Sequence, residues 1–313
     1  MAEITAQLVK ELRERTQAGM ADCKNALVEA SGDMEKAVEV ILKKGLAKSA
    51  KRAGAVATEG EVRAFVAGDA KSGVLVEVNI QTDFAARNEK FKAFVGEVTK
   101  AAAAAPSGAN LDDVKYPGSD KTIGAVRDEL IAQIGEKISV RRWVKVELGS
   151  PAGAVHSYVH LGGKIGVLLE VSAETPAVAS HPEFKKFIDD ASMQIAAMNP
   201  QYLVRTEVPK TDIDKQREIF TAQLREEPKP KPEAAWPKII EGKLAKHYSE
   251  VVLLEQESVC VSGQTIDKLR EAAAKAVGAG VAVTRFVRYQ LGEGIDTGKK
   301  DDFAAEVAKM AGG

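Results

Sequence analysis

Apolar residues recur on a helical period at the start of the chain and on an alternating period soon after it. Leu8, Val9 and Leu12 share one helical face behind Thr5, which can cap it, and Thr16-Gln17-Ala18-Gly19-Met20 reads as a turn. Cys23, Ala26 and Leu27 mark a second helix ending near Gly32. Asp33 can cap a third, whose stripe of Met34, Ala37, Val38, Ile41 and Leu42 is predicted to stop at Gly45, with Ala47 to Thr58 as a linker rich in small residues. Val62, Ala64 and Val66 then alternate with Arg63 and Phe65, and a turn around Gly68-Asp69 or Gly73 leads into Val74-Leu75-Val76-Glu77-Val78, a hairpin signal. Phe91, Phe94, Val95 and Val98 return to helical spacing, and Pro106-Ser107-Gly108 ends that helix after an alanine run.

The hairpin pattern occurs twice. At an offset of 93, Val62, Val66, Lys71, Gly73, Val74, Leu75, Glu77 and Val78 coincide with Val155, Val159, Lys164, Gly166, Val167, Leu168, Glu170 and Val171, and Phe91, Lys92 and Phe94 with Phe184, Lys185 and Phe187. At an offset of 143, Thr122-Ile123 and Arg127 match Thr265-Ile266 and Arg270, and the strand from Val140 to Val146 matches that from Val283 to Tyr289. Each half therefore reads hairpin, helix, helix, strand: an α+β unit used twice, with an antiparallel sheet covered by helices on one face. The step from 93 to 143 places 50 extra residues between Phe187 and Thr265, centred on 199–251. There, Ile213, Ile219, Phe220 and Leu224 mark one amphipathic helix and Trp236, Ile239, Ile240, Leu244 and Tyr248 another. The stiff segment Pro228 to Pro232 between them makes a helical hairpin that should pack on its own domain or on another subunit. Gly292, Gly294 and Gly298 look like a hinge before a terminal helix with Phe303, Val307 and Met310 on one face, a lid or a hook for a partner. The divisions expected are 1–54, 55–150, 151–198 with 252–290, 199–251 and 291–313.

Where the two units diverge, function is the candidate explanation. The first reads Thr82-Asp83-Phe84 where the second reads Thr175-Pro176-Ala177. The simpler reading is that Thr82 or Asp83 caps a helix and Phe84 staples into it. Against it, the second copy builds the same elements without the acid or the aromatic.

Composition narrows the classes without choosing one. With 44 basic and 45 acidic residues and a formal net charge of -1, the chain lacks the basic excess of a general nucleic-acid binder. The run Lys43, Lys44, Lys48, Lys51 and Arg52 is read as a solvated helix end. Cys23 and Cys260 form no ligand spacing and are expected to be reduced and buried. No signal peptide or membrane-length apolar run is visible, so the chain reads as soluble and cytosolic. Of His156, His160, His181 and His247, only the first two share a strand face, and no third ligand is spaced to join them in a metal site. Neither a nucleophile elbow nor a phosphate-binding loop is present, and no catalytic residues, metal site or cofactor are expected.

Leu8-Val9-Lys10-Glu11-Leu12-Arg13-Glu14-Arg15-Thr16, with Gly19-Met20 and Asp22-Cys23-Lys24, then Glu77-Val78-Asn79 and Gln81-Thr82-Asp83-Phe84, closely resembles the elongation factor Ts family. The likeness continues through Gly166-Val167-Leu168 to Gly292-Glu293-Gly294 and Asp302-Phe303-Ala304-Ala305-Glu306. The resemblance implies a UBA-like three-helix N-terminal domain and a translation factor that promotes GDP release from elongation factor Tu. It implies that Asp83 and Phe84, flanked by Thr82 and Ala85, enter the partner's G domain and disturb its magnesium and phosphate region. It assigns further partner contacts to Arg13, Met20, Lys24, His160 and Phe303, and a dimerisation role to the inserted hairpin. Ala21 and Ala85 are smaller than the family pattern. Neither a membrane nor direct nucleic-acid binding is implied. Two other readings stay open on residues alone, a peptide-binding adaptor built on residues 1–54 and an RNA-associated translation protein.

Overall fold

The helical spacing at the start of the chain is realised as α1 (Ala6–Thr16), α2 (Met20–Glu29) and α3 (Met34–Arg52), in a computed structural model that describes residues 4–16, 18–52, 54–227 and 231–297. Thr5 Oγ1 accepts the amide of Leu8 at 3.3 Å and Asp33 Oδ1 that of Lys36 at 3.0 Å, so both expected caps form. Val9, Leu12, Cys23, Ala26, Leu27, Ala37 and Ile41 are buried together between the three helices. The third helix is longer than its stripe implied. It continues through Gly45 to Arg52, so the expected linker begins as helix. One interior glycine costs only about 1 kcal/mol, and the Leu, Ala, Lys and Arg residues that follow sustain the helix. Lys43 and Lys44 are exposed and paired with Glu39 and Glu29.

The first α+β unit comprises β1 (Glu59–Val66), β2 (Ser72–Ile80), the one-turn helix α4 (Asp83–Ala86), α5 (Glu89–Ala104), α6 (Ile123–Ile134) and β3 (Ile138–Glu147). The second comprises β4 (Gly153–His160), β5 (Ile165–Ala173), α7 (Pro176–Ser180) and α8 (Pro182–Met198), then α9 (Lys210–Glu226) and α10 (Trp236–Val251), and finally α11 (Ile266–Val277) and β6 (Val281–Gln290). Each unit forms an antiparallel sheet with its second strand in the centre, in the orders β1-β2-β3 and β4-β5-β6. The duplication holds in detail. Both central strands slip register at the same place, between Glu77 and Val78 and between Glu170 and Val171. Just beyond each slip, on the opposite flanking strand, a glycine faces Asn79 or Ser172: Gly60 at φ 130° or Gly153 at φ 140°, where a Cβ would fall 2.1 or 2.2 Å from a backbone oxygen. Thr122 and Thr265 cap α6 and α11, and left-handed Gly135 and Gly278 end them.

Helices cover one face of each sheet. Val74, Val76, Val78 and Ile80 of β2 pack with Phe91, Phe94, Val95 and Val98, and Val167, Leu169 and Val171 of β5 pack with Phe184, Phe187 and Ile188. The other faces are not left to solvent. Val62 and Leu75 meet Val155 and Leu168 in a separate buried cluster, so the sheets pack on each other between two helical layers. Both central strands are therefore buried on both sides and have no face left to solvent, and their buried Glu77 and Glu170 need partners within the fold. The repeated pair Gly73 and Gly166 lies in this seam. A Cβ on Gly166 would stand 2.6 Å from both Leu75 and Val62, and one on Gly73 would stand 3.0 Å from Val155.

The halves also clasp each other reciprocally. The Val62 amide donates to the Gly163 carbonyl at 2.8 Å, and its counterpart Val155 donates to that of Ala70 at 2.7 Å. Gly149, after β3, donates to the Glu170 carboxylate at 2.8 Å, and Gly292, after β6, donates to that of Glu77 at 2.8 Å. Glu77 is fully buried and also accepts from Arg141 and Arg142. Gly292 and Gly294 are therefore not a hinge: they sit at φ 74° and 73° in a turn fastened to β2, while Gly298 and the predicted terminal helix with Phe303 lie outside the described residues.

In the inserted segment, α9 and α10 pack around Leu224, Ile240 and Leu244. Pro228 to Pro230 lie outside the described residues. Cys23 is buried as expected, but Cys260 is exposed. Its neighbours Val259 and Val261 lie in a turn, where an apolar run has no regular face to turn inward. Among the described residues, no helix is long and apolar enough to cross a membrane.

Candidate functional site

The central strand β2 leads directly into the residues that distinguish the two units. Thr82 leaves the sheet in extended conformation, and its Oγ1 accepts the Ala85 amide at 3.2 Å, which starts α4. After one turn Asn88 starts α5 in the same way, accepting from the Lys90 amide at 2.9 Å. The capping half of the simple reading is correct. The staple is not: Phe84 is 86 % exposed, because the second position of so short a helix faces away from the sheet, and Ala85 supplies the buried contact instead. Asp83 is exposed and pairs with Arg87 at 3.0 Å, a surface ion pair that contributes about 0.5 kcal/mol at most. Among the described residues, the fold buries neither the Asp83 nor the Phe84 side chain.

The corresponding place in the second unit has the same scaffold. Thr175 caps α7 by accepting the Val178 amide at 3.4 Å, and Pro176 and Ala177 occupy the positions of Asp83 and Phe84. The loop of the first unit is held more firmly. Glu136, between α6 and β3, accepts the Thr82 amide and hydroxyl at 3.0 and 2.8 Å. The neighbouring Lys137 amide donates to Gln81 at 2.8 Å, and Lys137 Nζ donates to the Ala55 carbonyl at 2.9 Å. Sequence reading passed over Glu136 because no motif or period marks an acid 54 positions from its partner.

His160 ends β4, is exposed, and shares a 2.9 Å hydrogen bond between Nδ1 and the Tyr158 hydroxyl. Leu161 follows at φ 50° and is 69 % exposed. This turn lies toward the same end of the sheets as Phe84. Lys164 pairs with Glu59 at 2.6 Å, and Glu59 is the strand partner of Ile80, two residues before Thr82. His156 takes a different role from His160. It is half-buried with Nε2 3.2 Å from Asp189, and burial lowers its pKa against the opposing pull of that carboxylate. The two histidines thus have separate partners, and among the described residues no group of three or more His, Cys, Asp or Glu could hold a metal.

Arg13, Ala21 and Lys24 are exposed on α1 and α2, and Met20 is 48 % exposed. The N-terminal helices reach the first unit through α3, whose Val38 and Ile41 face Glu129, Ala132 and Gln133 of α6 across a small cleft. A larger cavity of about 710 Å³ lies between the β1–β2 turn, β4 and α8 and includes His156 and Asp189, but neither Phe84 nor His160 lines it. The exposed apolar residues Met20, Phe84 and Leu161 on a firmly held scaffold suit docking against another macromolecule.

The chain is similar to known proteins along its whole length. The family model described as "Elongation factor TS" matches residues 81–293. Elongation factor Ts of Clostridium perfringens (strain SM101 / Type A) is 47 % identical, with 99 % of each chain covered. That of Symbiobacterium thermophilum is 46 % identical, covering 100 % of this chain and 99 % of the relative, and that of Trichlorobacter lovleyi is 42 % identical over 99 % of each.

Proposed function

The chain belongs to the elongation factor Ts family of translation elongation factors, and from that premise we propose that it is the guanine-nucleotide exchange factor of elongation factor Tu. It performs no covalent chemistry of its own; it opens a nucleotide site on its partner in the cytoplasm. The observation that carries this reading is Phe84, an 86 % exposed aromatic on a doubly capped turn, where the sister unit has Ala177.

A GTPase holds its nucleotide through phosphate contacts and a Mg²⁺ ion that demands near-octahedral geometry. A rigid aromatic that displaces the backbone supporting that ion weakens metal and phosphate contacts together. Asp83 places a carboxylate beside it that repels phosphate. Each ~1.4 kcal/mol by which bound factor destabilises the nucleotide-bound state lowers nucleotide affinity about tenfold, and linkage requires incoming nucleotide to expel the factor equally. Thr82 and Ala85 frame the wedge: Thr82 caps its helix, and Ala85 seats it on the core.

Other contacts follow the family. Residues 1–54, with Arg13, Met20 and Lys24 outward, act as a UBA-like docking domain. His160 contributes from the second core unit (151–198 with 252–290), and Phe303 from the C-terminal module 291–313. The wedge belongs to the first core unit, 55–150. The insertion 199–251, whose α9–α10 pair has only a small core of its own and leaves Ile219 exposed, is the segment for pairing two copies.

Stopped-flow release of fluorescent GDP from elongation factor Tu tests the reading. The chain accelerates release, and Phe84→Ala lowers the maximal rate by about tenfold or more. Equal release with and without the chain rejects the exchange function, whereas equal release with the chain and its Phe84→Ala variant rejects the wedge.

A further inference from the structure

The scaffold beneath Phe84 is built twice, and only the copy with the aromatic has an acid braced against its cap. We infer that Glu136 is a positioning residue for exchange. By holding Thr82 through both carboxylate oxygens, it fixes the first turn of α4 and with it the direction in which Asp83 and Phe84 leave the protein. The inference rests on the exchange reading and assigns to Glu136 a role in the same site.

The duplicated unit explains why Glu136 stands where it does. Gly135 ends α6 at φ 84° and Gly278 ends α11 at φ 68°, and the next residue is Glu136 in one unit and Ala279 in the other. The bond one residue further on is also shared. The Lys137 amide donates to Gln81 at 2.8 Å, and the corresponding Gly280 amide donates to Glu174 at 3.0 Å. The backbone that presents Glu136 is therefore common to both copies, and its side chain is not needed to build it.

What the first copy adds is the double bond to Thr82, 3.0 Å from its amide and 2.8 Å from its hydroxyl. The hydroxyl proton is then committed to the carboxylate, which leaves the oxygen's lone pairs for the Ala85 amide at 3.2 Å. Bonds to an ionised acceptor are about twice as strong as neutral ones, so the cap has a single orientation. A wedge held in its working direction loses less freedom on reaching the partner, and that advantage appears in the rate of nucleotide release rather than in docking elsewhere on the surface.

Full-length chain and variants serve for the test, with release of fluorescent GDP from elongation factor Tu followed over a range of factor concentrations. Glu136→Ala is expected to lower the maximal release rate about three- to tenfold while the half-saturating concentration changes less than about twofold. Glu136→Gln, which can still accept from the hydroxyl, recovers part of that rate. The double variant of Glu136→Ala with Thr82→Val loses less than the product of the two single losses, because they remove one shared interaction. Independently of the partner, the Ala85 amide of free Glu136→Ala exchanges hydrogen faster than in the parent. An unchanged maximal rate in Glu136→Ala, multiplicative losses in the double variant, or unchanged protection at Ala85 overturns the inference. Failure of the unsubstituted chain to accelerate release instead overturns the exchange reading, and the role of Glu136 in exchange with it.

Discussion

Phe84 and Glu77 are opposite uses of one residue. Phe84 is 86 % exposed, so Phe84→Ala should leave the unfolding free energy from urea titration unchanged within about 0.5 kcal/mol. Glu77 is buried and holds Arg141, Arg142 and the Gly292 amide from three directions. Glu77→Ala removes the acceptor of the Gly292 amide and the buried partner of both arginines, and a loss of about 3 kcal/mol is expected in the same measurement. A difference between the two variants smaller than about 1 kcal/mol would show that the central carboxylate is not the anchor its bonds suggest. His156 supplies a pH-dependent case. Burial lowers its pKa from the ordinary 6.5, so around that pH the folded chain binds fewer protons than the unfolded one. Its contribution is whole above pH 6.5 and is lost as the pH falls from there toward the folded value. His156→Gln should flatten this part of the decline. Urea midpoints at about pH 7.5 and 5.5 check it, with an equal decline in both proteins as the contrary result.

At the scale of elements, glycine substitutions separate close packing from helix propensity. Gly166→Ala drives a methyl into Leu75 and Val62 at the seam between sheets and should cost about 1–3 kcal/mol. Gly242 lies within α10, where an added Cβ meets nothing within 4 Å, so Gly242→Ala should stabilise by about 0.5–1 kcal/mol. Thermal unfolding of the pair gives both signs: an unchanged or raised midpoint in Gly166→Ala would contradict the packing argument, and a lowered one in Gly242→Ala the propensity argument. The same elements show what periodicity can and cannot reveal. The stripe beginning at Phe91 and the alternation around Val62 report burial of one face, so they located α5 and β1. The end of α3 was not legible, because Gly45 is only a modest local penalty within a run of good helix formers. The choice between staple and outward wedge for Phe84 was not legible for a related reason. Spacing finds the helix start but does not say which way a residue in a one-turn helix points.

At the scale of the molecule, the duplication was legible in the repeated residues, but its purpose at the seam was not. Val62, Gly73, Leu75 and Glu77 recur because each half uses them to receive the other, a relation between segments roughly a hundred residues apart that leaves no periodic trace in either. The candidate site divides the same way: divergence pointed to Asp83 and Phe84, while the brace at Glu136 needed three-dimensional placement. Reciprocal clasps have a consequence for unfolding. Separating the halves exposes Leu75 and Leu168 and leaves Glu77 and Glu170 without the amides of Gly292 and Gly149. Neither sheet should therefore persist after the other is lost. Trp143 reports on β3 of the first unit, and Phe286 occupies the equivalent place in β6. In a background carrying Trp236→Phe, fluorescence from Trp143 follows the first half. A second variant with Trp143→Phe and Phe286→Trp follows the other. After normalising for the stability of each variant by far-ultraviolet circular dichroism, each tryptophan transition should coincide with the loss of secondary structure. A fluorescence transition that precedes that loss by more than about 0.5 M urea, equivalent to roughly 1 kcal/mol, would mean that the clasps join two independently stable halves rather than completing one core.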